Sequence, residues 1–161
     1  MRALAAIPTL VVTGPRGAGK TRLIARLLGE RPAGETWAAL LEDRGTARLD
    51  AGAGLAVVRL TAGCPCCVGR VNLRVALARL LRTARPARLF VELDAASHVE
   101  ATMRLLAGPW LAPVLALGPL VEIVAGPGAP PARAGVRQVA RAALDGVTLA
   151  GLYGTTVSEP R

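Results

Sequence analysis

Residues 14–21 read Gly14-Pro15-Arg16-Gly17-Ala18-Gly19-Lys20-Thr21, directly after the apolar, β-rich run 7–13. The octapeptide fits G-x-x-x-x-G-K-[ST] in full. Each part has a physical task. The glycines let backbone N–H groups turn inward around phosphate oxygens. The next helix adds the partial positive charge of its N-terminus. Lys20 is placed to reach the β- and γ-phosphates of a nucleotide, and the Thr21 hydroxyl to bind Mg²⁺. The context agrees: a strand is expected before the loop, and a helical stripe of Leu23, Ile24, Leu27 and Leu28 after it, with Gly29 as its stop. The bland alternative is a glycine-rich turn with a chance lysine. Against it, Lys20 is the only lysine among 20 basic residues, so position 20 asks for a compact ammonium rather than a planar guanidinium.

Outward from the loop, strands and helices alternate. Strands are expected at 37–41, 55–60, 88–93 and 119–124, and a last one at 147–153. Helices are expected at 70–83, 97–106 and 136–144. In the first of these, Leu73, Leu77, Leu80 and Leu81 form the inner face, and Arg70, Arg74, Arg79 and Arg82 the solvated side. The Pro/Gly-rich stretch 126–135 reads as loop. The pattern predicts an α/β fold: three layers, with a mostly parallel sheet flanked by helices.

The length of 161 residues suits a single domain over 1–161. The longest apolar run, 109–121, holds three prolines and is shorter than the about 20 residues a spanning helix needs. An N-terminal signal peptide is disfavoured, because cleavage would remove the strand that the glycine loop requires. No membrane association is expected, and the cytoplasm is the expected compartment. The net charge of +9 raises the question of nucleic acid. Aromatic residues make up only 2% of the chain and the arginines are scattered, so no stacking platform exists and nucleic acid is not the expected partner.

All three cysteines, Cys64, Cys66 and Cys67, fall within four residues. They cannot staple distant parts of a fold. Three adjacent thiolates repel one another unless a soft cation holds them, with Zn²⁺ as the default. A three-thiolate site leaves one tetrahedral position for water, a carboxylate or a partner's group, or for completion across a homodimer. A buried or redox-active thiol cluster is the alternative.

A phosphate loop, then Cys-x-Cys-Cys after the third strand, then a strand ending in Glu92 resembles the CobW/UreG/HypB group of metal-handling GTPases, over about residues 7–125. The resemblance implies GTP and Mg²⁺ as ligands, Zn²⁺ or Co²⁺ as the metal handled, and a client metalloprotein as partner. It makes residues 14–21 the phosphate loop, followed by Arg22 where the family has a second Thr. It makes Cys64, Cys66 and Cys67 the metal ligands. Glu92 becomes the acidic residue closing the Walker B strand, near Mg²⁺ or the attacking water. Glu42-Asp43-Arg44-Gly45 stands where the family has the switch segment Asn-Glu-Phe-Gly, with Asp43 in place of its acidic residue. Lys20, Glu92 and Asp43 are thus the candidate catalytic residues.

The chain also departs from the pattern. Glu92-Leu93-Asp94-Ala95 replaces Glu-Thr-Ser-Gly, so Ala95 stands where the family has a glycine. With one lysine and one asparagine, Asn72, the base-reading Asn-Lys-x-Asp motif cannot occur; its expected place, 147–155, lacks it. The family's C-terminal domain is not expected within 161 residues. His98, the only histidine, is either a metal or catalytic contact or a polar helix start. Asp94 either assists Mg²⁺ or caps a helix. Three functions follow: a nucleotide-dependent metallochaperone, a degenerate interaction or regulatory protein, and a P-loop kinase, which leaves the cysteines unexplained.

Overall fold

A computed structural model describes residues 5–42, 49–60, 68–95, 98–126 and 134–154. Along the chain run β1 (Ile7–Gly14), α1 (Lys20–Leu28), β2 (Trp37–Glu42), β3 (Leu55–Leu60), α2 (Val68–Ala84), β4 (Arg88–Asp94), α3 (Val99–Leu106), β5 (Leu115–Val124) and β6 (Val136–Ala140). A 3-10 turn, Arg141–Gly146, and α4 (Leu149–Tyr153) complete the described elements. The six strands form one sheet in the order β3-β2-β4-β1-β5-β6, and every pairing in it is parallel.

The central strands carry apolar residues on both faces, because helices cover both. On one face Leu23, Ile24, Leu27 and Leu28 of α1 pack with Leu144 and Leu152 against Leu10, Val12, Phe90, Val121 and Ile123. On the other, Leu73, Leu77 and Leu80 of α2 and Leu106 of α3 pack against Val11, Leu40, Leu89 and Val91. This is the three-layer α/β arrangement of a P-loop NTPase. None of the described helices is long and apolar enough to cross a membrane.

Two local expectations are corrected. Residues 136–144 were expected as one helix. Instead β6 occupies Val136–Ala140, paired from Leu120↔Val136 to Val124↔Ala140, and the 3-10 turn follows. The apolar spacing of this stretch fits a helix. The open edge of β5 offers a row of unpaired backbone groups, and Val136 and Val139 suit it. Residues 147–153 were expected as a strand. Instead α4 occupies Leu149–Tyr153, and its N-cap Thr148 Oγ1 accepts the Gly151 N–H at 3.1 Å while Leu152 is buried. A short apolar run does not distinguish the two states by itself. β5 also starts earlier than residue 119, with one extra residue between Thr9↔Leu117 and Val11↔Leu120. Gly118 and Pro119 occupy this bulge, where a missing N–H breaks no ladder. A Cβ at Gly118 would lie 2.6 Å from the Tyr153 ring, so the glycine also makes room for α4.

Leu144 joins the last strand to the phosphate-loop side of the core, and truncating it leaves a cavity there. Leu144→Ala is expected to lower unfolding stability by about 2–4 kcal/mol in urea denaturation. A loss below about 0.5 kcal/mol would show that the 3-10 turn does not brace the core.

Candidate functional site

In a parallel sheet all strands deliver their carboxyl ends to one edge, where open α/β folds bind ligands. β1 and β4 are in register there, Gly14 opposite Asp94. β1 runs into the loop 15–19 and then into α1. Gly19 has φ 100°. That left-handed backbone favours glycine, and an added Cβ, 2.6 Å from Leu144 Cδ1, would also have to push the end of that side chain aside.

Lys20 is 7% exposed. Its Nζ donates to Gly14 O at 2.9 Å and to Pro15 O at 3.0 Å. The ammonium is therefore held by neutral carbonyls of its own loop, with no salt bridge to it among the described residues. Ala95 N–H donates to the same Gly14 O at 3.0 Å. The loop crown, Pro15 to Gly17, is exposed, while Ala18 is buried.

Behind the loop, the Thr21 hydroxyl donates to Glu92 Oε2 at 2.7 Å. Glu92 is 6% exposed. Burial raises its carboxyl above the usual carboxylate range, and Glu42 pushes in the same direction; the Thr21 hydrogen bond, Lys20 and Arg59 oppose them. A hydroxyl and a carboxylate side by side form an oxygen donor set suited to Mg²⁺, and a divalent cation would relieve the cost of burying that charge. The residues present fit that ion.

Sequence reasoning gave Glu42 no role of its own beyond opening the switch segment 42–45. The β2–β4 ladder stops at Leu40↔Val91. Beyond it the Glu42 side chain takes over, its Oε2 accepting the Asp94 N–H at 2.7 Å. An acidic residue at the carboxyl end of a central strand was the available signal. Asp94, 8% exposed, closes β4 and is not a helix cap. The residue at the N-cap of α3 is His98, exposed and with no capping side-chain bond, which matches the polar helix-start alternative.

Arg22 pairs with Asp145. Its Nη2 donates to both carboxylate oxygens of Asp145, at 2.7 and 2.5 Å, an exposed ion pair. The last strand ends at Ala140, so the residues leaving its carboxyl end are Arg141–Gly146, not 147–155 as expected. The structure thus brings Gly14 through Thr21 together with Glu92, while Arg22 contacts Asp145. Asp43, Cys64, Cys66 and Cys67 lie outside the described residues.

The raised Glu92 carboxyl has a linkage consequence. A carboxyl whose folded value lies above its unfolded value binds a proton more readily when folded. Stability then falls as pH rises from the unfolded value through the folded one, and the penalty is absent below both. Glu92→Gln removes the buried charge and keeps an acceptor for Thr21. In nucleotide-free protein the variant is expected to be more stable than wild type at pH 7, with the gap closing near pH 4. Equal urea midpoints at both pH values would refute the burial cost.

Comparison with known proteins bears on the fold and the family. The zinc chaperone YeiR of Escherichia coli (strain K12) is 34% identical over 105 residues, covering 63% of this chain and 32% of YeiR. The Zn(II)-bound YjiA GTPase from E. coli superposes with a TM-score of 0.50 at 18% identity, over 75% of this chain and 41% of that one, a likeness of fold. The chain thus spans about a third of its curated relative. Residues 8–152 match the CobW/HypB/UreG nucleotide-binding domain, and with its phosphate loop and parallel sheet in place the chain belongs to that family.

Proposed function

We propose that this chain is a GTP-binding, CobW-like protein that couples nucleotide binding and hydrolysis to the handling or delivery of zinc or cobalt in the cytoplasm. The observation that carries this reading is the resting state of Lys20: a buried ammonium parked on two carbonyls, 2.9 and 3.0 Å away, at the mouth of a glycine loop. A triphosphate offers charged acceptors in place of neutral ones, so the ammonium gains a charge–charge attraction that the carbonyls do not supply. The loop amides and the α1 N-terminus then hold the polyanion. Thr21 and Glu92 would hold Mg²⁺, which when bound neutralises phosphate charge. Glu92 is also the group nearest to hand for orienting an attacking water.

Displacing Lys20 from Gly14 O changes the acceptor that it shares with Ala95 N–H. Ala95 follows β4, and Glu42 ties β4 back to the end of β2. Nucleotide state is thereby passed to the stretch that follows β2, which includes Asp43. Cys64, Cys66 and Cys67 stand in sequence between Leu60, the end of β3, and Val68, the start of α2. Their thiolates would take the metal, with the fourth position filled by a client protein or a second copy. Three free thiols at such spacing suit a reducing compartment. Residues 1–161 act in this scheme as one nucleotide-binding domain. A second reading, binding without turnover, is favoured by Ala95, whose N–H is already committed to Gly14 O.

Titration of GTP, ATP and Zn²⁺ against the purified protein tests the proposal. Lys20→Ala is expected to weaken GTP binding by about 2 kcal/mol, roughly thirtyfold. Cys64→Ser/Cys66→Ser/Cys67→Ser is expected to abolish stoichiometric Zn²⁺ binding while leaving GTP affinity intact. Metal retained by the triple variant would sink the metal half of the proposal. GTP affinity unchanged in Lys20→Ala would sink the other.

A further inference from the structure

α2 is apolar on both sides. Its inner residues Leu73, Leu77 and Leu80 are buried against the sheet, as an amphipathic helix requires. Its outermost azimuth should then be charged. Instead Val71 and Val75 are 60% and 61% exposed, one turn apart, and exposed Ala78 continues the stripe. At about 100° per residue, Arg74 falls on one shoulder of that stripe and Arg79 on the other, with Arg82 closing its end. All three arginines are exposed and form no ion pair among the described residues. α2 contains no Asp or Glu at all. The helices α1 and α3 show no such doubling: apart from Thr102 and Lys20, their buried residues are apolar and their exposed positions are Arg22, Ala25, Arg26, Glu100 and Arg104.

An apolar ridge between rows of unpaired guanidinium groups complements a surface of opposite pattern. We propose that the outward face of α2 is a docking surface for an acidic amphipathic segment of another protein, with apolar side chains seated on Val71, Val75 and Ala78 and carboxylates paired with Arg74, Arg79 and Arg82. A second copy of this chain does not fit, since α2 against α2 would set these arginines against one another. Nor does a single-stranded nucleic acid gain from the ridge, which offers no aromatic ring for base stacking. Guanidinium groups pair with carboxylates bidentately, giving orientation as well as attraction. α2 begins at Val68, one residue after Cys67. Because α2 follows the cysteines directly in sequence, such a partner would be the candidate recipient of the metal; that last step rests on the function proposed above, whereas the docking does not.

The test uses the whole chain and a labelled synthetic helix of about 18 residues with a leucine stripe flanked by glutamates, followed by fluorescence anisotropy. The expected result is salt-sensitive binding of this peptide and none of its counterpart with lysines in place of glutamates. Val71→Glu/Val75→Glu is expected to weaken binding at least about tenfold, roughly 1.4 kcal/mol. Arg74→Glu/Arg79→Glu is expected to reverse the preference toward the lysine peptide. Both pairs of substitutions are on solvent-exposed positions, so circular dichroism and GTP affinity should match wild type. Absence of binding, equal binding by the Val71→Glu/Val75→Glu variant, or tighter binding to phosphatidylserine vesicles or to a single-stranded oligonucleotide would each overturn the proposal. Zn²⁺ titration of the cysteine variant, run in parallel, separates a failure here from a failure of the metal assignment.

Discussion

A buried ammonium has to be solvated by something, and Lys20 is solvated by the carbonyls of the loop that it serves. That requirement shapes the surroundings. The loop must turn its carbonyls toward the cation now and its amides toward an anion later, which is work for a backbone with few Cβ atoms. The loop must also be braced, and Leu144 fills the space beside Gly19 that any other residue would occupy. Neutral acceptors hold the cation firmly enough to bury it but leave its charge uncompensated. The site is thus biased toward an anion without being blocked by a permanent ion pair.

The carboxylates at the same edge work in the opposite sense. Glu92 is held near Lys20 and Arg59, yet burial and Glu42 still keep its carboxyl above the ordinary range. Such a group gains from a second cation. Anion-seeking and cation-seeking groups therefore lie side by side at the ends of adjacent strands, β1 and β4, and a phosphate chain with a divalent cation would satisfy both. The register Gly14↔Asp94 sets this spacing, because it brings the glycine loop and the acidic end of β4 to the same height.

Much of this was legible in the amino-acid sequence. The octapeptide 14–21 and the stripe Leu23, Ile24, Leu27, Leu28 specify β1, the loop and α1 by local pattern alone, and the structure agrees. The stretch 136–153 was not legible. Its apolar spacing suits either state, and the choice was made by the open edge of β5 and the space over Gly118, neither visible locally. Glu42 escaped for a related reason: its bond to Asp94 spans 52 residues and replaces a backbone ladder that has just ended. Lys20 and Glu92 were readable because motif and strand end mark them; their positions relative to each other required the sheet order.

α1 and the turn that follows it are fastened at three points to the segment after β6. Arg22 holds Asp145, Arg26 Nε donates to Val147 O at 3.0 Å, and Glu30 Oε2 accepts Leu149 N–H at 3.1 Å. These bonds join positions 123, 121 and 119 residues apart. β1, too, waits for β4 and β5 on either side before it is paired. During synthesis the glycine loop leaves the ribosome early, yet its neighbour β5 ends only at Val124, and the residues that clasp its helix, Asp145, Val147 and Leu149, come later still. Contacts this distant in sequence make for slow assembly. Nucleotide capture by the loop is therefore expected to follow closure of this sheet rather than to precede it.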